Sequence, residues 1–146
     1  MNTINHTIIS LLFLLAPLEM VASAQVASPD GRIVFSLAID EWGTPRYTVN
    51  FGDETIINDS RLGLRFETQP GFDSGFTIAG TETASQDESW EQPWGERRMV
   101  RDHHNELVLR FGDSEGGDLV RRFNLRVRVF DDGLGFRYEV PAQAGF

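Results

Sequence analysis

The segment Ser89-Trp90-Glu91-Gln92-Pro93-Trp94-Gly95-Glu96, continued by Arg101-Asp102-His103-His104-Asn105-Glu106-Leu107, gathers the side chains best suited to chemistry or binding. Within nineteen residues, 89–107, it holds two Trp, two His, one Pro and four acids. Large aromatics and charges are costly to order unless something packs on them, so this composition points to a site or an interface. His103 and His104 are neighbours, so on a strand they face opposite ways and cannot chelate one ion together. One His with Glu106 offers a ligand set, although satisfied surface or interface groups are the commoner role for such residues. Trp-Gly-Glu at 94–96 reads as a tight turn that aims Glu96 outward. Pro93 and Gly95 restrict the backbone on both sides of Trp94, so its ring is presented rather than mobile. The whole segment reads as a loop followed by a short strand.

The elements around it read as strands. Arg32 to Ile39 and Arg46 to Phe51 flank the turn Asp40-Glu41-Trp42-Gly43-Thr44-Pro45 as a hairpin. After the turn Gly52-Asp53-Glu54, short strands are expected at Thr55–Ile57 and Leu62–Phe66, around a turn at Asn58-Asp59-Ser60. A loop punctuated by Pro70, Gly71 and Gly75 precedes a strand over Phe76–Thr83. Leu107, Leu109 and Phe111 alternate before a turn at Asp113 to Gly117. The clearest pair comes last. Phe123, Leu125, Val127 and Val129 alternate with Asn124, Arg126 and Arg128, and Phe136, Tyr138 and Val140 alternate with Arg137 and Glu139 across Asp131-Asp132-Gly133. This period of two is that of a half-buried strand. Arg126 or Arg128 is expected near Glu139, Phe136 and Tyr138 in the core, and Arg121-Arg122 at a solvated strand end. No stretch of ten residues carries helical periodicity and no internal repeat is present. The fold class is therefore all-β, an antiparallel β-sandwich.

Composition narrows the function classes. The formal net charge is −9, and all 13 basic residues are Arg. An acidic surface disfavours nucleic acid and anionic lipid. The absence of Lys rules out a Schiff base or a P-loop lysine, and the absence of Cys rules out disulfides, thiolate nucleophiles and Cys-ligated zinc. The apolar run Ile8 to Leu15, followed by the small-residue pattern Ala22-Ser23-Ala24, predicts a signal peptide over 1–24 and cleavage after Ala24. Pro17 and Glu19 interrupt the run too early for a comfortable membrane span of roughly 20 apolar residues. An exported domain without disulfides fits a bacterial periplasm better than a eukaryotic surface. The remaining 25–146 is the size of one domain. The ending Pro141–Phe146 follows directly on the best hairpin, whose outer strand would be an exposed edge, and truncation is the expected explanation.

Several segments, in order, resemble the N-terminal domain of glycoside hydrolase family 97, the bacterial α-glucosidases and α-galactosidases. They are Ser28-Pro29-Asp30-Gly31, Pro45-Arg46-Tyr47, Ser60-Arg61-Leu62-Gly63, the Trp90-to-Glu106 stretch, and Phe130-Asp131-Asp132-Gly133-Leu134-Gly135-Phe136-Arg137-Tyr138-Glu139. The resemblance implies a galactose-mutarotase-like super-sandwich, incomplete here, packed in the parent enzyme against a catalytic (β/α)8 barrel. It implies an α-linked oligosaccharide as the parent's substrate, calcium in the complete enzyme with most of its ligands on the missing barrel, the catalytic carboxylates on that barrel too, and no cofactor in this fragment. Glycoside hydrolysis needs a carboxyl pair about 5 to 9.5 Å apart, and no acid of this chain maps onto that pair, so no catalytic residue and no metal ligand is assigned. The candidate substrate or barrel-interface residues are Trp90, Trp94, Glu96, His103, His104, Asn105 and Glu106. Trp90 and Trp94 stack on a sugar face or else anchor the sandwich or the barrel interface. Two function classes stay open: a non-catalytic accessory domain of an α-glycosidase, and a free-standing periplasmic carbohydrate- or protein-binding sandwich.

Overall fold

A computed structural model describes residues 22–113 and 121–143. Among them every regular element is a strand: β1 (Ser23–Ala27), β2 (Ile33–Ile39), β3 (Pro45–Phe51), β4 (Glu54–Arg61), β5 (Phe76–Glu91), β6 (Met99–Asp113), β7 (Arg122–Phe130) and β8 (Gly133–Glu139). They form two four-stranded antiparallel sheets, β1-β2-β3-β4 and β5-β6-β7-β8, in chain order. Consecutive strands pair because short turns join them, as a meander requires.

The inward faces close on each other. Phe35, Leu37 and Val49 from the first sheet meet Leu107, Leu109, Phe111, Phe123, Leu125, Val127 and Val129 from the second, with Phe72 and Phe76 filling one end. Phe111 stacks on Phe123 at 4.5 Å, and Phe123 meets Phe76 edge-on at 5.1 Å. The alternation of β7 explains its burial, since Phe123, Leu125, Val127 and Val129 face inward and each Arg outward. Three polar contacts tie the sheets together. Asn105 Nδ2 donates to the Ala27 carbonyl (2.9 Å), the Asp30 N–H donates to Asp131 Oδ1 (2.8 Å), and the Gly63 N–H donates to Tyr138 Oη (3.0 Å). Burial raises the Tyr138 hydroxyl's pKa despite that donor.

The observed elements differ from the sequence expectations in five places. β1 was not anticipated; it pairs with β2 from Ser23, so the expected cleavage after Ala24 falls inside it. The expected turn at Asn58-Asp59-Ser60 is a bulge within the single strand β4. Asn58 and Asp59 there lie opposite Thr48, and Asp59 takes a positive φ of 37°. Leu62–Phe66 is loop, closed by paired Leu64 and Phe72 hydrogen bonds. Phe136 is not core: it lies 37% exposed on the edge strand, with its ring against Tyr47 and Phe35. Arg121 is not solvated, as described below. Residues 1–21 and 114–120, which carry most of the leader and of the turn expected at Asp113–Gly117, lie outside the described residues.

Candidate functional site

The loop expected around Trp90 is instead the end of a long hairpin. β5 and β6 pair from Phe76–Asp113 out to Glu91–Met99 with one bulge between Ile78 and Gly80, but β7 accompanies β6 only from His104 to Gly112. Met99–His103 therefore bonds to β5 alone and extends past the sandwich as a two-stranded arm, roughly 15–20 Å long at the usual rise per residue. An isolated two-stranded ribbon is marginal in water. This one is braced by ion pairs across its strands: Arg101 grips both oxygens of Asp87 (2.7 and 2.8 Å), and Arg98 pairs with Glu91 (2.6 Å). The hydrogen bond from Arg101 lowers the Asp87 pKa.

At the tip, the Gln92 N–H donates to the Arg98 carbonyl (2.9 Å) and Gln92 Nε2 to the Arg97 carbonyl (3.1 Å). Gly95 takes a φ of +126°, a backbone conformation that L side chains rarely adopt, so the turn favours glycine. This turn presents Trp94 at 85% exposure, with Met99 and Trp90 also exposed close to the tip. Glu96 is exposed beside Trp94. Three large apolar side chains are thus exposed near the end of a projecting ribbon, Trp90 and Met99 on its two faces by register and Trp94 at the turn, as suits insertion into a partner.

The other candidates sit at the base of the arm. His104 lies opposite Gln86, four residues along β5 from Trp90, so the base and the tip are not one pocket. As expected, the two histidines face apart. His103 Nδ1 lies 3.7 Å from Asp131, half exposed, whereas His104 is buried, with Nδ1 on the Asp102 carboxylate and its ring 5.0 Å from Phe130. Asn105 accepts from the Ser85 hydroxyl (2.6 Å) while reaching Ala27 across the sandwich. Glu106, 9% exposed, is held between Arg126 and Arg128, and Arg126 also bonds Glu139 (2.7 Å), the pairing anticipated from the strand pattern. Burial pushes the Glu106 carboxyl up, but the hydrogen bond from Arg128 and the charge of Arg126 outweigh it, and its pKa lies below the ordinary value. Hydrogen bonding from Arg126 lowers Glu139 in the same way.

That electrostatics bears on chemistry. A glycosidic general acid must stay protonated near neutrality, which demands a raised pKa. Glu106 is shifted the opposite way, and Asp102 is occupied by His104, so this cluster suits holding the sheet rather than cleaving a bond. A stability consequence follows. Glu106→Gln is expected to cost about 1–3 kcal/mol by leaving charged donors short of their acceptor. Because the folded pKa is lowered, the stabilisation is present above the unfolded value of about 4.3 and is lost as pH falls through the folded one. Melting temperatures across an acid titration should therefore fall below about pH 4, and less steeply in the variant.

The comparisons with known proteins agree with this architecture. A model of the "Glycosyl-hydrolase 97 N-terminal" family matches residues 26–146. The chain belongs to that family. Among its relatives, a retaining alpha-galactosidase of Bacteroides thetaiotaomicron is 26% identical over 130 residues, 88% of this chain and 18% of the relative. A probable retaining alpha-galactosidase of Streptomyces bingchenggensis is 33% identical over 97 residues, 66% of this chain and 14% of the relative. A solved glycoside hydrolase family 97 enzyme from Pseudoalteromonas sp. strain K8, in complex with acarbose, is 40% identical and superposes with a TM-score of 0.77, over 84% of this chain and 18% of that one. A beta-arabinopyranosidase at 23% identity and a TM-score of 0.73 shares the fold. This family domain thus spans less than a fifth of the relatives it matches.

Sequence reasoning missed three residues that the structure makes conspicuous: Met99 at the arm tip, Trp42, which is 65% exposed, and Arg121. Arg121 stands beneath Trp42's turn, paired with Asp113 (2.6 Å) and with its guanidinium 4.6 Å from the Phe76 ring. Met99 carries no signal in isolation, and only the length of β5 and β6 places it at the tip.

Proposed function

We propose that this chain is the non-catalytic N-terminal sandwich of an exported bacterial α-glycosidase, and that it supports the enzyme's catalytic (β/α)8 barrel through the β5–β6 arm. The observation that carries this reading is the arm: Trp90, Trp94 and Met99 stand exposed on a braced ribbon in a family domain that spans 18% of relatives whose names are glycosidases. Burying these three side chains is worth several kcal/mol to an interface, at about 25 cal/mol per Å² of apolar surface. Trp94 and Glu96 then sit where the barrel and an α-linked oligosaccharide can meet them. Export rests on the Ile8–Leu15 run and the Ala22-Ser23-Ala24 pattern. Calcium belongs to the barrel of the complete enzyme on this reading. Among the described residues no three His, Asp or Glu side chains cluster in a way that could hold a metal ion.

Hydroxyl-radical footprinting tests the assignment. Trp94 should oxidise rapidly in this chain and be strongly protected at the equivalent position of a full-length relative. Equal oxidation in both would remove the arm from the interface and favour a free-standing binding sandwich.

A further inference from the structure

We infer that Trp42 heads a second saccharide-binding shelf, at the end of the sandwich opposite the arm, that takes neutral pyranosides of an α-linked oligosaccharide. The identity of the ligand rests on the glycosidase reading above; the existence and polarity of the shelf rest on its own geometry.

The turn that carries Trp42 is rigid. Asp40 Oδ1 accepts from the N–H groups of Trp42 (3.0 Å) and Thr44 (2.9 Å). The Gly75 N–H donates to the Trp42 carbonyl and the Phe76 N–H to the Gly43 carbonyl, both at 2.9 Å, which stitches the turn to the chain entering β5. Gly43 has a φ of +72°, and a Cβ on it would lie 2.5 Å from the Phe76 nitrogen, so no other residue fits this junction. Yet the indole that this bracing supports is 65% exposed. A flat aromatic held by a fixed backbone binds with little further ordering cost, which is how aromatic platforms gain affinity for planar or apolar faces such as that of a pyranose.

Beside the indole lies a concavity of about 820 Å³, walled by Glu41, Pro70, Ser74 and Thr77 and floored by Arg121 on Phe76. That volume is in the range of small-molecule sites. Arg121 is fully engaged: it bonds Asp113 (2.8 Å through Nε), the Gly71 carbonyl (2.5 Å) and the Ser74 carbonyl (3.2 Å). The lining therefore offers no free guanidinium to a phosphate or carboxylate. By contrast, the Glu41 carboxylate and the Ser74 and Thr77 hydroxyls have no hydrogen bond or ion pair among the described residues, leaving acceptors and donors for sugar hydroxyls. Asp40 and Asp113 also line the concavity, Asp113 paired to Arg121 and Asp40 Oδ1 holding the Trp42 and Thr44 N–H groups, so an aromatic face with free hydroxyls, carboxylate acceptors and no free cation selects a neutral polyol over an anion.

The position of the shelf separates it from the arm. The arm leaves the sandwich at the end where Asp30 meets Asp131 and His103. The Trp42 turn lies at the other end, against the chain around Gly75 and Asp113. A partner seated on the arm tip does not of itself cover the shelf.

The test titrates the purified chain with maltoheptaose and, separately, raffinose, while following the indole N–H resonances of its three tryptophans, assigned through single Trp→Phe variants. The expected result is a saturable shift confined to Trp42 with at least one sugar, and about a 10-fold or greater loss of affinity in Trp42→Ala, the scale of one aromatic contact. Trp42→Phe should keep most of the binding, and thermal melting should be unchanged in both variants. A Trp42 resonance that does not move with either sugar overturns the shelf, as does undiminished affinity in Trp42→Ala. Protection of Trp94 in a full-length relative is read separately, so loss of the shelf alone leaves the domain assignment standing, whereas an unprotected Trp94 removes that assignment first.

Discussion

Arg121→Ala is expected to cost this domain about 3–5 kcal/mol, the range for removing one partner of a buried ion pair. The Asp113 side chain is 7% exposed and that of Arg121 is 19% exposed, so the substitution strands a nearly buried carboxylate. It also removes donors from the Gly71 and Ser74 carbonyls and the cation from the face of Phe76. Marginal domains have about 5–15 kcal/mol in total, so the variant should show a much lower urea midpoint with little change in slope. Arg121→Lys should rescue poorly, because a point charge cannot replace the planar fork that serves three acceptors. A loss under about 1 kcal/mol, the net worth of one ordinary hydrogen bond, would mean that the residue is solvated after all.

Trp94→Ala should behave in the opposite way. At 85% exposure the ring leaves no cavity when it is removed, so stability should stay within about 0.5 kcal/mol, as at other surface positions. In a full-length relative that keeps this tryptophan, kcat/KM should nonetheless fall by about 10- to 100-fold, because misplacing groups at a distance from the chemistry by about 1 Å costs that much. Glu96→Gln should follow with a smaller loss. Unchanged kinetics in both variants would reduce the tip to an ordinary solvent-exposed turn.

How much of this was legible in the sequence depended on which residues sit between two environments. β7 and β8 were read from alternation because one face of β7 is sealed in the core, with Val127 and Val129 at 0% exposure, while the other carries Arg126 and Arg128. The outer half of β5 has almost no apolar residues. Both of its faces meet water, so no period of two is imposed on it, and its pairing follows from the register set by β6. The stabilising pairs Asp87–Arg101 and Glu91–Arg98 are invisible until that register is known. β1 was hidden within the leader signal, and the β4 bulge imitated a turn because Asp59 adopts a turn-like backbone, with Arg46 holding its carboxylate. Arg121 looked solvated because two of its acceptors lie 47 and 50 residues away in the chain. The candidate residues divide into two groups. Trp90, Trp94 and Glu96 stay together near the arm tip, while His104, Asn105 and Glu106 are tied into the base by Asp102, Ala27 and the two arginines.

The central claim is that this domain carries no glycosidase chemistry of its own. The direct measurement is hydrolysis of nitrophenyl α-galactoside and nitrophenyl α-glucoside by the purified chain. The account predicts release of nitrophenol at the buffer rate with both substrates, because the buried acid of the arm base, Glu106, is held between Arg126 and Arg128 with its pKa lowered, the opposite of what a general acid needs. Turnover above buffer that survives repurification and disappears when the chain is unfolded would contradict it.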